Sequence, residues 1–272
     1  MEAVAEQEAW KPRGILNQKA GENNFQLSRH VASPDLSCFI EQYWIVAWDL
    51  RGQPPQVQET LPHPNIHMVF EKDNSQIFGV PTGKFIRVLE GQGQVFGIKF
   101  RAGGFHPFVK APVSSFTDKL IEVAEVFGPA SKILETALLA LDDERKMLEL
   151  AENFLRQQSP QPDENLAVIG RVFEGIITDR TIVKVDDLVD RFDLSKRTLQ
   201  RLFSQYVGVS PKWVIKRYRL HEAAEQLAAS PVADWSKMAL DLGYFDQAHF
   251  IKDFKTLVGK TPGDYARQNE PG

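Results

Sequence analysis

Near its C-terminal end the chain repeats itself. Displaced by 51 positions, the segment from Leu199 to Pro211 falls on Phe250 to Pro262. Phe203 lands on Phe254, Val207 on Val258, Gly208 on Gly259 and Pro211 on Pro262. Apolar character is kept at Leu199/Phe250 and Tyr206/Leu257, and basic character at Arg201/Lys252. In each copy a short helix (about 185–192; about 236–242) is expected to run through a turn into a second helix. That second helix opens at Ser195 or Asp246, whose side-chain oxygens can accept an otherwise unpaired backbone N–H. It stops at Gly208 or Gly259, which suit a left-handed C-terminal cap, and proline follows shortly after. Two helices joined by a tight turn, with basic and amide side chains on the second, form a helix-turn-helix.

The faces of the second helices sharpen this reading. In the first copy Leu199, Phe203 and Tyr206 share a core face, while Arg197, Gln200, Arg201 and Ser204 recur at i, i+3, i+4 and i+7 on another. Arginine can grip guanine bidentately and glutamine can do the same to adenine, so this face has the chemistry to read base edges. In the second copy Phe250, Phe254 and Leu257 point inward and leave Gln247, Ala248, Ile251, Lys252 and Lys255 outward. Ala248 and Ile251 there suit a thymine methyl group. One amphipathic helix with basic residues outside is an ordinary solvated surface, but a generic helical domain has no reason to produce the same grammar twice.

The net charge of −4 conceals a basic stripe. From Asp163 onward the chain holds 16 basic and 16 acidic residues, so the negative excess belongs to the first 162. Ser195 to Arg219 carries Lys196, Arg197, Arg201, Lys212, Lys216, Arg217 and Arg219 with no acidic residue. A polyanion responds to the face it meets rather than to the chain average. Lys216 and Arg217 are expected to touch phosphate.

The run Ser195-Lys196-Arg197-Thr198-Leu199-Gln200-Arg201-Leu202-Phe203, then Gly208-Val209-Ser210-Pro211 and Arg219-Leu220-His221-Glu222-Ala223-Ala224, resembles the first half of an AraC/XylS-type regulator domain. Leu242-Gly243-Tyr244-Phe245-Asp246-Gln247-Ala248-His249-Phe250, with Phe254-Lys255 and Gly259-Lys260-Thr261-Pro262, resembles that family's second half. The resemblance covers roughly 181–267. It implies a cytoplasmic regulator of transcription, activator or repressor, with double-stranded DNA as partner, RNA polymerase contact and a homodimer as further associations, and no enzymatic activity. It also implies two recognition helices held by a long linker helix, about 211–229, entering major-groove segments about one turn or ~34 Å apart. Matching positions assign base contacts to Arg197, Gln200 and Arg201 in the first helix and to Gln247, Ala248, Ile251 and Lys252 in the second. Lys252 stands where the family commonly has arginine, and lysine lacks the rigid fork, so weaker reading is expected from the second helix. Asp253 adds a negative charge beside it. His249 is expected to pack or to contact phosphate.

The expected fold class is α+β: a mainly-β, barrel-like N-terminal domain with flanking helices, then an all-α double helix-turn-helix domain. Short runs such as Tyr43-Trp44-Ile45-Val46-Ala47-Trp48, Ile66-His67-Met68-Val69-Phe70 and Val95-Phe96-Gly97-Ile98-Lys99-Phe100 are separated by glycine and proline. Helical spacing takes over from Thr117 to about Arg156. The polar stretch from Gln157 to Pro162 marks a linker between domains at 1–158 and 163–272. Pro34-Asp35-Leu36, Tyr43-Trp44, Leu61-Pro62-His63-Pro64 and the segment from Gly97 to Gly104 resemble an N-terminal domain often fused to AraC-type regulators. Its implied role is to bind a small-molecule effector, to dimerise, or both. Trp44, Trp48, Phe70 and Phe100 are candidates to line a ligand site, with Arg101 for an anion, against the alternative that the aromatics simply fill a core.

Other chemistry is poorly supported. His63 and His67 on an extended strand would lie about 13 Å apart at ~3.3 Å per residue, too far for one ion even with His106 nearby, so no metal is expected. Gly91-Gln92-Gly93 and Gly103-Gly104 are expected in turns, not in a phosphate loop, and no cofactor motif is present. Cys38, the single cysteine, sits among Leu36, Phe39 and Ile40 and is expected to be a buried, inert thiol. The acidic stretch Met1 to Trp10 lacks the layout of a signal peptide, and no apolar run reaches the ~20 residues of a spanning helix, so a cytoplasmic protein without membrane contact is expected.

Overall fold

A computed structural model describes residues 25–61, 63–229 and 235–268; the stretch Met1 to Trp10 and Pro62, both used above, lie outside them. The first part is mainly β. Its strands are β1 (Phe25–His30), β2 (Ile40–Asp49), β3 (Gln56–Thr60), β4 (His67–Glu71), β5 (Gln76–Phe78), β6 (Phe85–Leu89), β7 (Gln92–Phe100) and β8 (Leu120–Glu122). Six of them form one antiparallel sheet in the order β1-β2-β7-β4-β5-β8, and β3 pairs with β6 separately. Among the described residues the two sheets are not joined by strand pairing, so the barrel-like half is open rather than closed.

Side chains alternate across a strand, so each sheet residue is committed to one face. Tyr43 and Ile45 of β2, Met68 and Phe70 of β4, and Phe96, Ile98 and Phe100 of β7 all turn to one side, where they join a core with the helices. Trp44, Val46, Trp48, Val69 and Val95 take the other side, facing Leu89 of the small sheet. Phe70 and Phe100 therefore do not line a ligand site: both are fully buried in the helix-side core, because each has the opposite parity to the Trp44 row. Trp44 pairs with Gly97 and Trp48 with Gly93. A Cβ at either glycine would meet the indole of its partner tryptophan, at 1.9 and 2.3 Å. Gly93 is thus no turn residue; it lets a ring lie flat across β7. Gly91 beside it is the turn residue, with φ +60°.

The helices are α1 (His106–Val109), α2 (Val123–Phe127), α3 (Ala130–Leu139), α4 (Glu144–Gln157), α5 (Glu164–Thr178), α6 (Val185–Phe192), α7 (Lys196–Leu202), α8 (Pro211–Ala229), α9 (Trp235–Asp241), α10 (Gln247–Val258) and α11 (Pro262–Gln268). Their spacing follows the apolar stripes: Leu134, Leu138, Met147 and Leu155 are buried, as are Ile169, Val172, Phe173 and Ile176 of α5. The main core runs without a break from Leu36 through these helices to Ile215. A second core lies at the C-terminal end, where Leu220, Ala223 and Leu227 of α8 pack with Phe250, Phe254 and Leu257 of α10. Cys38 departs from expectation. It sits exposed in the turn before β2, where the loss of solvent it does suffer pushes the thiol up from its ordinary value.

Candidate nucleic-acid interface and the adjoining cavity

The first helix pair is α6 and α7. The Ser195 hydroxyl accepts the Thr198 N–H at 3.0 Å, which satisfies an end donor and starts α7 where sequence places it. Leu199 and Leu202 go inward, while Arg197, Gln200, Arg201 and Ser204 are all exposed. Past α7 the chain widens into a π turn over Phe203–Val207 and stops at Gly208, whose φ of 97° is readily open only to glycine. The Ser204 end of this face is not free: its hydroxyl lies 3.2 Å from that of Ser114.

The second pair, α9 and α10, repeats the arrangement. Asp246 accepts the His249 N–H at 2.7 Å, and Gly259 closes the helix at φ 84°. Phe250 and Phe254 are fully buried; Ala248 and Lys252 are exposed, and Gln247 and Ile251 are half-buried. His249 is exposed and meets Asp253 at 3.3 Å. Asp253 turns toward α8 and pairs with Lys216 at 2.5 Å.

The basic stripe of the sequence divides in space. Arg197, Arg201 and Lys212 are exposed, and among the described residues no carboxylate lies within 4.0 Å of them. Lys196 is paired with Asp186 at 2.5 Å, and Lys216 with Asp253. Arg217 and Arg219 are each only 1% exposed. The expectation that Arg217 touches phosphate therefore fails in this structure, because that turn of α8 is covered by the β part: its guanidinium donates to His63 Nε2 at 2.8 Å. An arginine offers only donors, so His63 must keep that nitrogen unprotonated. Arg219 instead ties α8 to the end of α5, donating to the carbonyls of Ile176, Asp179 and Ile182.

Beneath α8 lies a cavity of about 970 Å³, bounded by the Trp44 face of the large sheet, the inner face of β3 and β6, and α8 itself. Trp44, Trp48 and Arg101, the residues singled out in the sequence for a ligand site, are among its lining residues. Arg29, His63, His67, Arg217 and His221 line it too and were missed. Arg29 had left a signal: it ends the alternating run Phe25, Leu27, Arg29, an arginine on an apolar stripe. Lys99 is neutralised by Glu41 at 2.6 Å, Arg87 pairs with Glu71, and Arg101 donates to the Ser37 carbonyl at 2.7 Å. The His67 ring packs near Trp44, with 6.2 Å between centroids. Desolvation, and then the Lys99 charge, lower its pKa to about 3. Three of the histidines weighed for a metal are placed apart: His63 on Arg217, His67 on Trp44, and His106 against Tyr206 with 4.1 Å between centroids.

Sequence comparison adds to this geometry. Residues 188–268 match the model of a helix-turn-helix domain, and residues 28–122 match a domain of unknown function, DUF6597. The C-terminal part of the chain is thus similar to the helix-turn-helix domains of transcriptional regulators. The chain is 27% identical over 175 residues to an uncharacterized HTH-type transcriptional regulator, YtdP, of Bacillus subtilis (strain 168), covering 57% of this chain and 22% of that protein. It is 33% identical over 81 residues to the HTH-type transcriptional activator RhaS of Pectobacterium carotovorum subsp. carotovorum (strain PC1), covering 30% of this chain and 29% of that one. The chain thus spans less than a third of the length of these curated relatives. A solved structure of a probable AraC family transcriptional regulator from Rhodopseudomonas palustris CGA009 is similar at 26% identity and TM-score 0.33, over 37% of this chain and 94% of that one. Among the described residues no helix is long and apolar enough to cross a membrane.

Proposed function

We propose that this chain is a sequence-specific, DNA-binding regulator of transcription, acting in the cytoplasm as a binder rather than a catalyst. Its recognition helices α7 and α10 enter adjacent major-groove segments of one duplex. The observation that carries this reading is the outward set Arg197, Gln200 and Arg201, standing exposed on a helix whose opposite side, Leu199 and Leu202, is buried. Side chains able to read guanine and adenine edges are thereby offered on a rigid element. Gln247, Ala248, Ile251 and Lys252 form the corresponding set on α10.

Division of labour between 1–158 and 163–272 belongs to the same reading: the first senses a small molecule or a second copy of the chain, and the second holds DNA and contacts RNA polymerase. The cavity beneath α8 supports the sensing role, since it is large enough for a metabolite and touches both parts. Replacing Arg201 with alanine is expected to cost about 1–3 kcal/mol at one base position and to relax the preference there. Fluorescence anisotropy against a preferred duplex and a random one checks this. Equal loss on both duplexes would defeat the base-reading assignment.

A further inference from the structure

We propose that the cavity beneath α8 binds an organic anion with an aromatic or apolar body, its charge held by Arg29 and its body by the two indole rings. This deepens the sensing role proposed above; the binding site itself does not depend on DNA recognition.

Three observations converge. The first is the paving of the wall. Gly93 and Gly97 leave room for Trp48 and Trp44 to lie flat across β7, which makes a broad aromatic floor. A ring or alkyl chain laid on such a floor loses water on both sides. The second is the charge at its edge. Arg29 stands directly across from Trp44 in the β1–β2 register and is half-buried. Among the described residues no carboxylate lies within 4.0 Å of it, whereas Arg87 and Lys99 in the same cavity are each neutralised. Desolvation lowers its pKa from the ordinary arginine value, so the charge is held there at a cost that an anion would offset. A charge-assisted, bidentate grip on a carboxylate or sulfonate is what a guanidinium in that position can supply.

The third observation is the identity of the remaining wall. Arg217, Tyr218 and His221 close the cavity from α8, the helix that joins the two helix-turn-helix units. On the same helix, Lys216 holds Asp253 of the second recognition helix. A molecule filling the cavity thus touches the element that positions α10 relative to α7. Occupancy is read out as DNA affinity.

Two dyes with nearly the same aromatic body test this on the full chain: 8-anilinonaphthalene-1-sulfonate, which is anionic, and N-phenyl-1-naphthylamine, which is neutral. The anionic dye is expected to bind one equivalent per chain, with energy transfer from Trp44 and Trp48. Arg29→Leu should weaken it about tenfold or more, the scale of one charged hydrogen-bonded contact, while Arg29→Lys keeps most of the affinity and the neutral dye changes less than twofold. Several equivalents of dye per chain, or anionic-dye binding indifferent to Arg29→Leu, would overturn the site. The unchanged affinity of Arg29→Leu for the neutral dye shows that the variant is folded. In parallel, anionic dye should change the affinity of the wild-type chain for its preferred duplex severalfold, and Arg29→Leu should need about tenfold more dye or more for the same change. Arg29-dependent dye binding with unaltered DNA affinity would overturn the coupling through α8. Arg29-dependent binding by a chain that has no affinity for DNA would uphold the site and defeat the regulator reading.

Discussion

The two helix-turn-helix units are built from the same grammar and anchored in different ways. The first is part of the main core. Phe203 stacks on Phe173 of α5 at 5.6 Å, the Tyr206 hydroxyl donates to Asp163, and Thr117 of the β part donates to the Gly208 carbonyl at 2.7 Å. Leu199, Leu202 and Phe203 belong to the same apolar cluster as Phe96 and Ile98 of the large sheet. The second unit packs on the far end of α8, in a smaller core to which, among the described residues, the β part contributes the buried Leu61. Helix α7 is thus fixed to the β part, and α10 is carried by α8.

The largest effect expected from this asymmetry comes from truncating equivalent aromatics. Phe203→Ala and Phe254→Ala should each cost about 3–5 kcal/mol, since both are fully buried large side chains. The losses should differ in reach. Hydrogen exchange should show Phe254→Ala removing protection over residues 235–268 while β2 and β7 keep theirs; Phe203→Ala should weaken protection in α7 and in those strands together. Matching patterns for the two variants would break the comparison.

A smaller effect should separate the two units by pH. His67 titrates near 6.5 when unfolded, and its folded pKa is lowered to about 3. Between those values the unfolded chain takes up a proton that the folded chain refuses. The stability contributed by the neutral ring is therefore fully present above about pH 6.5 and is lost as pH falls toward 3. Unfolding free energies from urea titrations at pH 7 and pH 5 should differ by about 1–2 kcal/mol for the β part and the first unit. His67→Gln should remove most of that difference, and exchange within residues 235–268 should be indifferent to the substitution.

What was legible in sequence was what local chemistry decides. Ser195 and Asp246 cap their helices, and Gly208 and Gly259 end them, because capping oxygens and left-handed backbone act within a few residues. What escaped was decided by partners distant in the chain. Phe70 and Phe100 look like Trp44 until strand register shows that they lie on the other face of the sheet. Arg217 looks like its neighbour Lys216, but a helix turns by about 100° per residue, and that step brings Arg217 under His63. Cys38 has apolar neighbours in sequence, yet it falls on the outside of a turn. The cavity joins strands to the linker helix over 154 positions, from His63 to Arg217, so no local pattern could announce it.

The central claim is that α7 and α10 read one duplex together. Selecting binding sites from a random DNA pool with the full chain tests it most directly. Two enriched motifs about one helical turn apart are expected, with the α7 motif losing definition in Arg201→Ala and the α10 motif retained. A single short motif, or no enrichment over random sequence, would contradict the account.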